Sequence, residues 1–540
     1  MKLPGLLFSI ILAFPLGAQE VGEWISRADR SMTAGAYQEA GVEYERAGRL
    51  KPDRPGLLYK AAEAYYLARN YAKAADCYRS LRHQEEYPLA GLRYARTLKQ
   101  SGKYPEAQVA FREFLSNYKG EQPALMQEVV SKDLAGCALA LRLYNDTLEH
   151  PLTLAAQALP KPGPNAGNAF APFPFGPDAL YFSAVANGRA PAQFWRIERA
   201  DKRWLAPVEA AGLPPEAARN FASGSFSPDG SRFYCVQCDA QTGAKNTAGE
   251  PLCKLLVMRR RDDGWSPPEP LRDYINWPGS TTLAPALALK DGQELLFFAS
   301  DRPGGAGGLD LYVCERPLAA DDLDFSLPRN LGPLVNSGGD DTTPWFDTSS
   351  NTLFFSSNGQ VSLGGFDVYR TSRNGQDWSA PENLGLPFNS PADDRWFVPN
   401  TENGGGFLSS NRANGLENSP FDDDIFEIVP AFTRLFLVGE VTDEQQGQLL
   451  TGCLIALYEL SPDGEVRLAQ IQASADGRFR FRLSPGSSYA VEATKNGFQA
   501  ARATLGLLNQ TPEGYAVGLL MRRNSPSPSG ETQPGKGERE

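Results

Sequence analysis

Ser300-Asp301-Arg302-Pro303-Gly304-Gly305-Ala306-Gly307-Gly308-Leu309-Asp310-Leu311-Tyr312 is the stretch on which the middle of the chain turns. An apolar run ends at its first residue, a glycine-rich turn follows, and a second apolar run opens at Asp310. Gly364-Gly365-Phe366-Asp367-Val368-Tyr369 repeats the phrase. Working outward, five apolar runs match the first half: Leu180-Tyr181-Phe182-Ser183, Arg232-Phe233-Tyr234-Cys235, Leu296-Phe297-Phe298-Ala299, Phe354-Phe355-Ser356-Ser357 and Phe407-Leu408-Ser409-Ser410. Turns such as Ser227-Pro228-Asp229-Gly230 and Lys290-Asp291-Gly292 precede them, as hairpin chemistry expects. Five further runs begin at Gln193, Lys254, Asp310, Asp367 and Asp424, spaced by 61, 56, 57 and 57 residues.

A β unit of this length repeated in series predicts propeller blades, because radial repetition hides the sheet edges. Five blades are counted directly, or six if one is too degenerate to see. Residues 152–159 are expected to close the ring beside the last blade. The motifs of blades three to five resemble the TolB-like, WD-related propeller repeat of bacterial envelope proteins, over roughly residues 149–432. Asp310, Asp367 and Asp424 recur once per blade, so they are expected to be structural, each capping a turn through backbone N–H groups. The acidic run Asp422-Asp423-Asp424 lacks the spaced acidic loop of a calcium site.

Residues 20–148 carry another repeat. Gly35-Ala36-Tyr37-Gln38-Glu39-Ala40, Arg69-Asn70-Tyr71-Ala72-Lys73-Ala74 and Gly102-Lys103-Tyr104-Pro105-Glu106-Ala107 place Tyr-x-x-Ala at intervals of 34 and 33 residues. This resembles the tetratricopeptide repeat and implies an all-α solenoid with a concave groove. Arg69 stands where the other two repeats have glycine. From residue 433 to 522 the pattern is again β. Phe479, Phe481 and Leu483 alternate with arginines, which predicts a strand with one buried face. That segment resembles the carboxypeptidase regulatory-like domain, a transthyretin-like β-sandwich.

Residues 1–18 read as a secretory signal peptide: Lys2, an apolar run over 6–16, and small residues before Gln19. Residues 523–540 are rich in Ser, Pro, Gly and charge and are expected to be disordered. The 540-residue chain has a net charge of −11, which argues against nucleic acid as partner. Only two histidines occur, His83 and His150, and no Gly-x-Ser-x-Gly, Walker or His-Glu-x-x-His motif is present. No catalytic residue, cofactor or metal is therefore expected. Cys238 and Cys253 are expected to form a disulfide closing a long hairpin, while Cys77, Cys137, Cys314 and Cys453 look like small core residues.

The order of segments resembles a Bacteroidetes periplasmic envelope family that includes the peptidoglycan-associated component of type IX secretion. The OmpA-like C-terminal domain of that family is not found here. The resemblance implies a periplasmic adaptor, peripheral to the outer membrane. It would bind envelope or secretion-system proteins through the helical groove and a propeller face, with direct peptidoglycan contact in doubt. Two alternatives stand beside it: a glycan- or peptide-binding propeller, and a propeller enzyme such as a lyase or glycosidase.

Overall fold

The computed structural model describes residues 16–149, 154–163, 167–176, 178–185, 192–200, 203–210, 212–213, 220–238, 252–375, 377–400, 404–412, 422–430, 435–461, 464–474, 476–483, 488–506 and 515–524. The apolar run of the signal peptide and the C-terminal tail fall outside them but for their innermost residues. The chain divides into two compact units: residues 1–152 with 156–429, and residues 430–540 with 153–155.

Seven helices open the described chain: α1 (Leu16–Thr33), α2 (Tyr37–Leu50), α3 (Pro55–Leu67), α4 (Tyr71–Arg79), α5 (Ala90–Gln100), α6 (Tyr104–Asn117) and α7 (Pro123–Glu149). None among the described residues is long and apolar enough to cross a membrane. The repeated tyrosines start α2, α4 and α6. Ala40, Ala74 and Ala107, three residues on, are fully buried, because only a methyl group lets the paired helices approach so closely. Two residues before each tyrosine the backbone is left-handed, at Gly35 (φ 72°), Arg69 (φ 59°) and Gly102 (φ 73°). Glycine adopts this conformation freely, whereas arginine there costs about 1–2 kcal/mol.

The expectation of a separate all-α tetratricopeptide solenoid is corrected here. The helices do not stand alone; they belong to the same compact unit as the β-sheets that follow. The reason is a loop of the β region. Leu363 is fully buried in the core that Leu92, Leu98, Tyr104, Phe111 and Cys137 build between α5, α6 and α7. Beside it the Lys99 ammonium donates to Ser362 Oγ at 3.0 Å, and a Cβ on Gly136 would stand 2.0 Å from the Ser362 carbonyl oxygen. The helical surface is thus shaped to this loop.

Five antiparallel sheets follow, and their first strands, Ala169–Pro174, Asn220–Phe226, Thr282–Lys290, Asp341–Asp347 and Asp394–Asn400, touch one another in sequence and close a ring. These are the inner strands of five blades. The five apolar runs that match the first half of the repeated stretch form the second strand of each sheet. Each inner strand carries a register shift against its neighbour, for example between Leu283 and Ala286 or Thr342 and Trp345. In four blades the bulge holds a left-handed residue: Ala171, Ala284, Thr343 and Trp396. The irregularity links blades. Ala171 N donates to Ser409 Oγ at 3.0 Å and Trp396 N to Thr343 Oγ1 at 3.2 Å, each reaching from one blade to the one before it in the ring. Leu154–Ala158 lies outermost in the last sheet, beside Asp424–Pro430, and Leu159 N continues the pairing with Ile425 O at 2.8 Å.

The second unit has two sheets, one of three strands around Leu435–Asp443 and one of four around Leu454–Ser461. Phe479, Phe481 and Leu483 turn inward to meet Leu437, Ile455, Val491 and Leu519 in a core of the unit's own.

Candidate functional site: one face of the propeller

In blades three and four the turn between the second and third strands meets the link to the next inner strand. Asp310 builds its turn there: its carboxylate accepts from Ala306 N at 2.7 Å, Gly307 N at 3.1 Å and Asn330 Nδ2 at 2.8 Å. Asp367 does the same with Leu363 N (2.7 Å), Gly364 N (3.2 Å) and Asn383 Nδ2 (2.7 Å). Asp424 pairs with the Lys161 ammonium, and most of the turn before it lies outside the described residues.

Sequence reasoning passed over a second set of residues. Asn336 Oδ1 accepts from Leu311 N at 2.8 Å, and its Nδ2 donates to Leu311 O at 3.1 Å. Asn389 repeats this on Val368, and Asn276 on Leu255. Each amide side chain takes the place of a strand residue and satisfies the third strand's exposed edge. Asp341 and Asp394 follow, at the head of two inner strands. Each accepts from the backbone N and Oγ of a serine four residues earlier, Ser337 or Ser390. The detectable signal was Asn-Ser-x-x-Asp-Asp, present as residues 336–341 and 389–394.

Asp310, Asp341, Asp367 and Asp394 are all at 0% exposure. Burial pushes the Asp367 carboxyl up to about 7 and the Asp341 carboxyl up to about 6, against the amide bonds that favour their ionised forms. A catalytic acid must touch its substrate. These four cannot, because protein encloses them, and their chemistry is the holding of turns.

The turns themselves are laced in series around the face. Thr281 N donates to Asp301 Oδ1 at 2.6 Å, Gly308 N to Gly339 O at 2.9 Å, Asp340 N to Asn358 Oδ1 at 2.7 Å and Gly365 N to Ala392 O at 3.2 Å. The helices cover one end of this series. The left-handed Arg69 reaches from the turn between α3 and α4 to Asp423 Oδ1 at 2.6 Å and Asp393 Oδ2 at 3.5 Å, and Arg395 binds the other Asp423 oxygen at 3.0 Å. The two guanidinium groups hold the buried Asp423 carboxyl below the usual range although desolvation opposes them.

At the other end of the series two described stretches are exposed. Trp277 is 46% exposed, and residues 303–308 are exposed throughout. Trp277 is nevertheless on a firm base: Asn276 beside it is tied by two hydrogen bonds to the strand residue Leu255 and by a third to Leu271 O, and Ser280 N closes the turn on Trp277 O at 3.1 Å. Beneath, Arg302 is buried and donates to the carbonyls of Tyr274 and Ile275. Cys238, last residue of blade two's second strand, and Cys253, first of its third, are paired directly across the hairpin, and their sulfurs are bonded. Cys235, nearby in sequence, is fully buried, and burial holds its thiol well above the ordinary range. Among the described residues no three His, Cys, Asp or Glu side chains gather closely enough to hold a metal ion.

No family model matches the chain, and no curated protein matches it. Solved structures similar to it include an α-L-arabinofuranosidase from Lactobacillus brevis, at 11% identity and a TM-score of 0.34, covering 48% of this chain and 90% of that one. A second is an exo-β-1,3-galactanase from Clostridium thermocellum, at 10% identity and 0.35, covering 67% and 88%. A third is the sucrose-6-phosphate hydrolase of Lactobacillus gasseri, at 11% and 0.34, covering 73% and 94%. These findings overturn the resemblance to the tetratricopeptide, TolB-like and type IX secretion family. With it go the adaptor function and the expectation that the chain catalyses nothing, neither of which is carried forward. Scores this low carry no catalytic residue from those enzymes to this chain.

Proposed function

We propose that this protein binds glycans on the open arc of the propeller face, with Trp277 as the platform on which a sugar ring stacks. The observation that carries the reading is an indole left 46% exposed on a turn whose backbone is pinned on both sides. Burying an aromatic face against the C–H face of a sugar removes apolar surface from water on both partners. A rigid turn lowers the ordering cost of doing so. The run 303–308 is exposed, and its backbone carbonyls can accept from sugar hydroxyls.

Titration calorimetry of the full chain against soluble arabinan, galactan and xylan tests the reading. At least one should bind, and Trp277→Ala should weaken it about tenfold, a change of roughly 1.4 kcal/mol, without moving the unfolding midpoint. Binding indifferent to Trp277→Ala, or no binding across the panel, would refute it. Release of reducing sugar in the same mixtures would convert the reading from binding to hydrolysis.

A further inference from the structure

We infer that the Cys238–Cys253 disulfide is a redox-sensitive brace for the Trp277 turn, so that glycan affinity there falls when the bond is reduced. This rests on the glycan reading above and adds how that site is regulated. The two cysteines form the terminal rung of blade two's second and third strands, opposite one another in register. Leu255 stands two residues further on, about 7 Å along the strand. Its backbone carries the turn. Leu255 N donates to Asn276 Oδ1 at 2.8 Å, and Leu255 O accepts from Asn276 Nδ2 at 2.9 Å and from Leu271 N at 3.0 Å. Asn276 immediately precedes Trp277. The end of a hairpin frays before its middle, and a covalent bond across the last rung keeps Leu255 in register.

Packing joins the same parts. Cys253 lies in one hydrophobic core with Leu255, Leu271 and Ile275, and the half-buried Cys238 packs against that core. Cys235 takes no part: it is on the opposite face of its strand, in a separate core with Phe233, Leu256 and Met258. The turn has a second mooring on blade three, where the Tyr274 hydroxyl donates to Phe325 O at 2.8 Å and Arg302 donates to Tyr274 O at 2.9 Å. Opening the disulfide loosens one mooring and leaves the other, so the loss is partial. The half-buried Cys238 gives a thiolate access to the bond. A dithiol breaks it by exchange: two electrons and two protons pass to the Cys238 and Cys253 sulfurs, and the dithiol leaves as its own disulfide.

The test measures the affinity of the full chain for whichever of arabinan, galactan and xylan it binds, before and after reduction with dithiothreitol, with free thiols counted to show that the bond has opened. Affinity should fall about three- to tenfold, as when a pre-organised contact loses part of its support, and return on reoxidation. Cys238→Ser/Cys253→Ser should match the reduced protein and ignore the dithiol. Amide exchange should quicken over residues 253–257 and 271–280 and stay unchanged in the blade-four strand Thr352–Ser357. Unchanged exchange at 271–280 would overturn the brace, and so would faster exchange in every blade, which is loss of the fold. An affinity that ignores reduction while Trp277→Ala still weakens it would overturn the regulation and leave the glycan site standing. Absence of all glycan binding with the exchange difference intact would instead remove the glycan reading and keep the brace.

Discussion

The helical segment and the C-terminal sandwich sit on either side of the propeller in the sequence, yet they stand in different relations to their neighbours. The helices share one compact unit with the blades, whereas the sandwich is a unit of its own. The difference lies in where single apolar side chains go. The blade-four loop sends Leu363 into the core between α5 and α7, while the sandwich core, among the described residues, is filled from its own unit. Repetition in sequence therefore marks a helical segment but does not make it a domain. A loop residue far along the chain decides that.

The comparison breaks most sharply at the two cores. Leu363→Ala should cost about 2–5 kcal/mol, the usual range for emptying a buried leucine site. Both helical and propeller signals should lose stability together in a denaturant titration. Phe479→Ala in the sandwich should cost about 3–5 kcal/mol and leave helical ellipticity and its midpoint unchanged. A Leu363→Ala protein whose helices melt apart from its blades would break the single-unit account.

Gly136→Ala comes next. The added methyl would collide with the Ser362 carbonyl, and overpacking of this kind costs about 1–3 kcal/mol. Gly22→Ala, with nothing within 4 Å of its added Cβ, should be neutral or slightly stabilising. Arg69→Gly is a finer probe. It relieves a left-handed arginine, worth about 1–2 kcal/mol, but removes the ion pairs to Asp393 and Asp423, whose breakage costs about 3–5 kcal/mol where a charge is left unpaired. Because Arg395 still serves Asp423, the net loss should be about 1–3 kcal/mol. A more stable Arg69→Gly protein would show that the turn, and not the ion pairs, sets the outcome.

Proton uptake gives the most local effect. Burial raises the Asp367 carboxyl to about 7 and the Asp341 carboxyl to about 6, above an unfolded carboxyl near 3.9. The folded state then holds these protons more tightly than the unfolded state. Their contribution is complete below pH ~4 and is lost as pH rises through about 6 to 7. Asp367→Asn should flatten the fall in stability over that window in the first unit, and leave the pH dependence of the sandwich untouched.

Much of this arrangement was written locally in the sequence. The Tyr-x-x-Ala spacing marks the starts of α2, α4 and α6, and the glycine-rich turns mark the hairpins around Asp310 and Asp367. The inner strands were not legible. Pro172, Pro285 and Pro344 interrupt them, and bulges at Ala171, Ala284 and Thr343 break the alternation that announces a strand. Their regularity lies in contacts between blades, which no single segment records. The union of helices and propeller was hidden for the same reason, since Leu363 looks like any loop leucine. Arg69 was the one local hint, an arginine where the repeat calls for glycine. Trp277 was missed because a lone tryptophan in a Pro/Gly turn carries no period, and its exposure follows only from the placing of the loops around it.

Hydrogen exchange on the full chain tests the central claim most directly. Amides of α5–α7 and of the inner strands of blades four and five should open with a common free energy, and Leu363→Ala should lower that value equally in both sets while the sandwich amides keep theirs. Helical amides that exchange independently of the blades, before and after the substitution, would contradict it.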